Sequence, residues 1–354
     1  MPVRDTVNKY TNLSRAVTTA VQLQKSGIRF MNFAFDLVAI ILSSSFLFFA
    51  ILYIGAGALL YRILLTRQTY KRQAKLAASD SYQEERKKNT FNYDGEEWFH
   101  SMEPTETIIL SRKNAPLHGY TIPAAEPTDR WVICLHGYTG APDTMGPFGR
   151  KFHNSGFNTL YPALRGHESS EHRTISMGWH DRLDIIDWCR YVIRQNPKAQ
   201  IVLFGVSMGA STAMMASGEE MPAAVRCIIA DCGFSSVWEI FAVQIKRYAR
   251  LPANPFLLPI YTMALLKDKL DIKAASCVRQ VKKSRTPILF IHGDADELIP
   301  HVMMDDLFSA AGCEKEKLLV HRGRHGESAN AAPELYWATV KSFISRKMAQ
   351  PQLA

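Results

Sequence analysis

The chain has 354 residues, 47% of them hydrophobic, which is enough for one large domain with appendages. Its net charge of +9 is uneven: residues 1–36 carry +3, residues 62–88 carry +5, and residues 89–354 carry only +1. A basic groove for nucleic acid is therefore not supported, and no nucleic-acid partner is expected. A basic collar beside a membrane fits this distribution.

Residues 37–61 contain no charged side chain. Twenty-five residues in a helix rise about 37 Å, enough to cross a hydrocarbon core with some tilt. Thirty-six residues precede the run, which favours a retained anchor over a cleaved signal peptide. We therefore predict a basic, amphipathic segment over 1–36 and a transmembrane helix over 37–61 that contacts membrane lipid.

Basic residues flank this run on both sides, with more on the C-terminal side. The nearby ones are Lys25 and Arg29 before it, and Arg62, Arg67, Lys71, Arg72 and Lys75 after it. The positive-inside tendency then predicts a single-pass protein of the cell membrane with a cytoplasmic C-terminal domain. The extracytoplasmic face stays open as the alternative.

Residues 62–95 are polar and charged and predict a stem or linker. From residue 96 to 348, short β-rich runs alternate with helical stretches. The strand candidates are 108–110, 117–122, 131–136, 157–163, 201–206, 227–231, 288–293 and 317–321. Continuous apolar strands separated by helices predict an α/β fold, with a mostly parallel sheet covered on both faces.

Residues 235–285 interrupt this alternation. They are rich in proline, apolar, and helical in parts, so we predict a small helical lid inserted between two strands. The six cysteines form no C-x-x-C pair, and Cys134 and Cys227 fall inside strand-like runs. We interpret them as reduced core residues and not as a disulfide framework or a metal site.

The stretch Gly205-Val206-Ser207-Met208-Gly209 lies between a strand candidate and a helix candidate. It has the form G-x-S-x-G, in which the glycines permit a sharp turn that exposes the serine hydroxyl. A hydroxyl needs a base and an orienting carboxylate to act as a nucleophile. In this type of sheet the chain order is serine, acid, histidine. Asp296 and His325 follow the last two strand candidates, so Ser207, Asp296 and His325 are the predicted catalytic residues.

Five short motifs together resemble the α/β-hydrolase superfamily, and within it the membrane-anchored bacterial hydrolases grouped with serine aminopeptidases and monoacylglycerol-lipase-like esterases. They are HGYTG at 136–140, RGH at 165–167, GVSMG at 205–209, HGDADELIP at 292–300 and GRHG at 323–326. The resemblance implies Asp296 as acid, His325 as base, and an oxyanion hole from the backbone N–H groups of Tyr138 and Met208. Glu168 departs from the pattern, since relatives carry glycine after RGH.

Alternatives to these assignments remain at this stage. Asp231 follows an earlier strand and is the main rival for the acid, while Asp294 is a loop candidate. His321 is the rival for the base. The His321/His325 spacing resembles a zinc pair only on a helix, and Gly323 between them favours a loop. No metal ligand and no cofactor is predicted.

These features predict a membrane-anchored serine hydrolase that cleaves a carboxylic ester through an acyl-enzyme. The expected substrate is a small acyl ester, and a short peptide is the alternative, since the same groups cleave both. A non-catalytic binding protein on this fold is a third hypothesis. It predicts a damaged serine turn or triad, and neither is present in the sequence.

Overall fold

The computed structural model describes residues 3–79, 84, 90–250 and 252–349. The chain divides into two compact units, Met1–Gly55 and Ala56–Ala354. In the first unit, the described side chains from residue 14 onward are almost all exposed, including large apolar ones such as Phe46 and Phe49. The helix over Ser14–Leu65 is long and apolar enough to cross a membrane by length and composition.

The second unit is built on a sheet of eight strands in the order β1-β2-β4-β3-β5-β6-β7-β8. Strand β2 pairs antiparallel with β1 and β4, and all other neighbours are parallel. The strands are β1 (Thr105–Leu110), β2 (Pro116–Ile122), β3 (Arg130–Leu135), β4 (Asn158–Pro162), β5 (Gln200–Val206), β6 (Val225–Asp231), β7 (Ile288–Gly293) and β8 (Lys315–Val320). All eight predicted strands and the mostly parallel sheet are confirmed.

Twelve α-helices are found among the described residues. They are α1 (Val3–Leu65), α2 (Arg67–Ala77), α3 (Thr90–Ser101), α4 (Gly146–His153), α5 (Asp181–Gln195), α6 (Met208–Ala216), α7 (Val237–Gln244), α8 (Ala253–Asp268), α9 (Cys277–Val281), α10 (Val302–Ala310), α11 (Ser328–Ala331) and α12 (Pro333–Met348). A 3₁₀ turn at Pro142–Met145 precedes α4, and a π-helical turn at Ile245–Ala249 follows α7.

Two apolar cores lie on opposite faces of the sheet because successive strand side chains alternate between faces. On β3, Ile133 belongs to one core and Val132 to the other, and both are fully buried. On β5, Leu203 and Phe204 divide in the same way. Burial on both faces explains why these strands read as continuous apolar runs in the sequence.

The segment predicted as a lid, residues 235–285, carries α7, the π-helical turn, α8 and α9 between β6 and β7. Its apolar side chains divide between the core and the surface. Phe241 and Leu257 are buried in the core beside α6, whereas Leu258 is 42% exposed. All six cysteines are free, and five of them are buried.

The predicted linker, residues 62–95, falls partly outside the described residues. Its described parts are helical and belong to the second compact unit, which begins at Ala56 and not near residue 96. Leu65, just inside this region, is fully buried. Gly95 on α3 lies against Pro147 so closely that a Cβ would meet its backbone at 2.3 Å. The polar composition of this region gave no sign of these contacts.

Candidate active site

Ser207 occupies the turn between β5 and α6 in a strained backbone conformation, with φ 57° and ψ −117°. The two flanking glycines allow this turn because other backbone approaches them closely. A Cβ at Gly205 would lie 2.4 Å from the backbone of Gly209, and one at Gly209 would lie 2.0 Å from the Leu135 carbonyl oxygen. The strain at Ser207 lifts its hydroxyl out of the sheet at the N-terminus of α6.

Three side chains that the sequence predicted as partners form a continuous hydrogen-bonded chain. The Ser207 hydroxyl lies 3.0 Å from His325 Nε2, and His325 Nδ1 donates to Asp296 Oδ2 at 2.8 Å. Ser207 is partly exposed, the His325 side chain is 24% exposed, and the Asp296 side chain is fully buried. The arrangement has a hydroxyl, a base and an orienting carboxylate in the order that nucleophilic catalysis requires.

Asp296 is held as a charged carboxylate by four hydrogen bonds. Oδ1 accepts from the backbone N–H groups of Leu298 and Ile299 at 2.8 and 2.9 Å. Oδ2 accepts from His325 and, at 3.1 Å, from Nε2 of the buried His292. Burial acts to raise the pKa of Asp296, but the bonds from His292 and His325 outweigh it and hold this pKa well below its usual range. The sequence analysis did not predict this bond from His292 to Asp296.

The loop after β3 lies beside Ser207. A Cβ at Gly137 would lie 3.5 Å from the Ser207 Cβ, which brings the backbone of the next residue, Tyr138, to the serine. Met208 is the first residue of α6, so its N–H has no partner within the helix. Both N–H groups that the resemblance implied as oxyanion donors therefore belong to segments that border Ser207.

Two buried histidines hold this loop in place through hydrogen bonds. His136 Nε2 accepts from the Leu164 N–H at 3.1 Å, and His167 Nε2 accepts from the Thr139 N–H at 3.0 Å. The rings meet edge to face, 4.9 Å apart. Burial lowers the pKa of His136 to about 3 and that of His167 to about 4, so both are neutral acceptors.

The side chains of the rival residues have other partners. Asp231 is fully buried and accepts from the Tyr336 hydroxyl at 2.9 Å, and burial raises its pKa to about 6. Asp294 bonds to the exposed His321 at 2.8 Å, away from the serine. His321 and His325 thus have different carboxylate partners, and neither rival enters the Ser207 chain.

Two further residues bear on the shape of the site. Glu168 adopts a left-handed conformation with φ 33°, which glycine, the residue implied by the resemblance, would adopt without strain. The Tyr120 hydroxyl donates to Glu168 Oε1 at 3.3 Å. Cys232 is fully buried, and its sulfur belongs to a group with Asp296 and His325 whose ligand atoms lie within 4.8 Å of one another. Burial raises the pKa of the Cys232 thiol, which keeps it protonated.

A surface groove of about 550 Å³ lies on the segment predicted as a lid, and not at Ser207. Its lining residues are Ala242, Val243, Lys246, Arg250, Pro252 and Ala253. Because none of these belongs to the serine chain or its loop, the groove does not identify the substrate.

A mostly parallel eight-stranded sheet with a strained serine after β5, and with an acid and a histidine after β7 and β8, defines an α/β hydrolase. The chain has the α/β-hydrolase fold, and a family profile described as "alpha/beta hydrolase fold" matches its residues 130–253.

The chain is similar to several known proteins. The uncharacterized protein YqkD of Bacillus subtilis is 29% identical over 261 residues, covering 73% of this chain and 85% of YqkD. The solved structure of Pyrococcus furiosus esterase Pf2001 superposes with a TM-score of 0.59 at 23% identity, covering 70% of this chain and 93% of the esterase. Pyrococcus horikoshii acylaminoacyl peptidase superposes with a TM-score of 0.54 at 19% identity, covering 71% of this chain and 42% of the peptidase. These structural similarities establish the shared fold.

Proposed function

We propose that the protein is a serine hydrolase that cleaves carboxylic esters, with Ser207, His325 and Asp296 as its catalytic residues. The observation that carries the proposal is the hydrogen-bonded chain from Ser207 through His325 to Asp296, starting at a strained serine. A serine in a merely structural turn needs neither a histidine at 3.0 Å nor a carboxylate behind it.

In the proposed reaction, Ser207 Oγ attacks the carbonyl carbon of the substrate while His325 Nε2 takes the hydroxyl proton. Asp296 fixes the imidazole tautomer through Nδ1 and stabilises the imidazolium. The N–H groups of Tyr138 and Met208 stabilise the oxyanion of the tetrahedral intermediate, an effect commonly worth about 3 kcal/mol. His325 then protonates the leaving alcohol, and water, activated by the same histidine, releases the acyl group.

The preference for an ester rests on the composition of the lid. The lid presents exposed apolar side chains such as Leu258 and Leu266, and no acidic cluster stands out in the sequence to hold the free amino terminus of a peptide. The structural neighbours include an esterase and an acylaminoacyl peptidase, so both chemistries occur on this fold. A serine peptidase is therefore the second candidate.

We propose that the apolar run over residues 37–61 anchors the enzyme to the cell membrane as a single span through its exposed part, which ends at Gly55. The length and hydropathy of the helix support this, and so does the exposure of its apolar side chains. A buried core helix would hide such side chains from solvent, whereas a membrane helix presents them to lipid.

The first test is labelling of the full chain in detergent with a fluorescent fluorophosphonate, which reacts with activated serines. We expect the wild type to label, and Ser207→Ala and His325→Ala to stay unlabelled. His321→Ala is the matched control, because it removes an exposed histidine four residues earlier that bonds only Asp294. An unlabelled but folded wild type would favour the non-catalytic binding protein.

The second test separates the two reactions. The same preparation is given a series of p-nitrophenyl acyl esters and a series of aminoacyl anilides. The proposal predicts turnover of the esters that disappears in Ser207→Ala. Turnover of the anilides alone would replace the esterase by the peptidase.

A further inference from the structure

The end of helix α1, after the exposed apolar part, is built into the core of the second unit. Tyr61 is 6% exposed and Leu65 is fully buried, and both belong to the core on the α6 face of the sheet. Leu60 and Leu64 pack against the same core. These residues follow Gly55, so they lie within the compact unit that contains Ser207.

This helix end contacts the lid. The Tyr61 hydroxyl donates to Asp268, the last residue of α8, and lies 3.2 Å from Thr174 Oγ1. Thr174 in turn donates to Asp268 Oδ1 at 2.8 Å, which closes a three-membered network. One turn earlier, a Cβ at Gly57 would lie 2.7 Å from the Pro259 carbonyl oxygen of α8. The absence of a side chain at Gly57 therefore permits the close approach of the two helices.

The same helix end contacts the loop beside Ser207. The last carbonyls of a helix have no partner within it, and here the hydrolase supplies partners. The Tyr138 hydroxyl donates to the Leu64 carbonyl oxygen at 2.6 Å, and the Ile175 N–H donates to the Leu65 carbonyl oxygen at 2.9 Å. Tyr138 is also the residue whose backbone N–H borders the serine.

A second connection reaches this loop through residues 165–175. The Arg67 guanidinium donates to the carbonyl oxygens of Glu168 and Ser170, and its backbone N–H donates to the Arg173 carbonyl oxygen at 2.7 Å. His167, in the same segment, accepts from the Thr139 N–H. Tyr138 and Thr139 are thus held from two sides, by Leu64 directly and by Arg67 through the His167 segment.

We propose that residues 56–67 form a positioning clamp for the active site. The Tyr138 side chain connects the oxyanion loop, which follows β3, to helix α1. Gly57 and Tyr61 connect the lid to the same helix. The catalytic part of this inference rests on the proposed hydrolase function. The clamp acts by fixing the Tyr138 N–H where negative charge develops, so its loss lowers kcat with little change in KM.

The first variant is Tyr138→Phe, which removes the hydroxyl and retains the ring and the backbone N–H. We expect kcat per active site to fall about tenfold, below the 10²–10³ range for complete loss of an oxyanion donor. Active sites are counted by fluorophosphonate titration, so that a smaller folded fraction does not count as a slower enzyme. Tyr191→Phe, which removes a tyrosine hydroxyl from helix α5 outside the clamp, is the control and should leave kcat unchanged.

The second variant, Gly57→Ala, tests the contact between the clamp and the lid. Its matched control, Gly55→Ala, lies two residues away. Gly57→Ala forces α8 and α1 apart, whereas a Cβ at Gly55 would meet no heavy atom within 4 Å among the described residues. Both substitutions add one methyl group to the same helix. We expect Gly57→Ala to lower kcat per active site and Gly55→Ala to leave it at the wild-type value.

Hydrogen–deuterium exchange of the full chain in detergent gives a readout that needs no activity. The proposal predicts faster exchange over residues 136–141 in Tyr138→Phe and over 253–268 in Gly57→Ala, relative to Tyr191→Phe and Gly55→Ala. Unchanged exchange in both segments, or kcat within twofold of wild type in both variants, would overturn the clamp. If exchange rises as expected but the wild type hydrolyses no substrate, the contacts of residues 56–67 are supported and the hydrolase proposal is contradicted instead.

Discussion

Three aspartates follow strands near the serine, and their surroundings separate them. Asp296 is buried and accepts from His325, Asp294 pairs with an exposed histidine, and Asp231 bonds Tyr336. A carboxylate stabilises an imidazolium only if it contacts that imidazole. The geometry therefore favours Asp296 as the acid, which is the residue implied by the family motif.

Asp296→Asn is expected to lower kcat by about 10⁴ without loss of fold, because an amide in this position stabilises the wrong imidazole tautomer. Asp294→Asn makes the same chemical change two residues earlier and should alter kcat by less than threefold. Steady-state ester hydrolysis by both variants provides the comparison. Equal losses in the two would contradict the assignment of Asp296.

Asp231→Asn is expected to stabilise the protein at alkaline pH. Burial raises the pKa of Asp231 from 3.8 to about 6, so the folded state binds more protons than the unfolded chain between these values. The charged form therefore costs stability progressively as pH rises from about 4 to 6, and the full cost, a few kcal/mol, persists above pH 6. Thermal unfolding should show a larger gain in Tm for the variant at pH 8 than at pH 4.5. A gain that does not depend on pH would contradict this explanation.

At the scale of elements, the turn from β5 into α6 depends on close backbone packing. The sequence indicated this turn because G-x-S-x-G follows an apolar run, and the structure shows which neighbour requires each glycine. A Cβ at Gly209 would collide with the Leu135 carbonyl of β3. Glycine is therefore required at this position by the adjacent strand and not by the turn alone.

Gly209→Ala is expected to destabilise the fold by more than about 3 kcal/mol, because a Cβ would overlap backbone that cannot rotate away. Gly137→Ala is the matched control, since its Cβ would make an ordinary contact 3.5 Å from Ser207 Cβ. Chemical denaturation of the two variants should separate them clearly. A Gly209→Ala protein as stable as Gly137→Ala would show that the turn between β5 and α6 tolerates a side chain at residue 209.

At the scale of the whole molecule, acid should unfold the protein through His136 and His167. Their folded pKa values, about 3 and about 4, lie below the ordinary value of 6.5, so the unfolded chain binds more protons in between. The stability that they contribute is complete above pH 6.5 and is lost as pH falls below it, by up to about 1.4 kcal/mol per pH unit for each histidine. As pH falls from 6 to 4, protonation of Asp231 stabilises the folded state. This gain in stability cancels at most the loss that comes from one of the two histidines.

Thermal unfolding between pH 7.5 and 4 measures this dependence. His136→Gln retains an acceptor but does not titrate, so its Tm should fall less steeply with acid than that of the wild type. His321→Gln removes an exposed histidine and should follow the wild-type curve. A wild-type Tm that is constant from pH 7 to 5 would contradict the prediction.

The location of the second unit is also a property of the whole chain. The excess of basic residues after the apolar run predicts that this unit lies in the cytoplasm. Protease added to intact cells or spheroplasts should then spare it, and should digest it after the membrane is permeabilised. Digestion from outside without permeabilisation would place the unit on the extracytoplasmic face.

The sequence by itself determined the fold class and named the serine, its acid and its base. Those assignments depend on local patterns: apolar runs that become strands buried on both faces, and short motifs at strand ends that a parallel sheet brings to one edge. The predicted residues Ser207, His325 and Asp296 do come together, while their catalytic roles stay predictions.

Only the tertiary structure decided which further residues contact the predicted catalytic side chains and the loop beside them. His292 bonds Asp296 because a turn folds residues 292 and 296 onto each other, and nothing in the spacing distinguishes that histidine from an ordinary core residue. The clamp depends on a bond between Leu64 and Tyr138, 74 residues apart, made by a carbonyl that every residue carries. Such contacts leave no compositional signal, because backbone groups and single hydroxyls acquire a partner only when distant segments pack together.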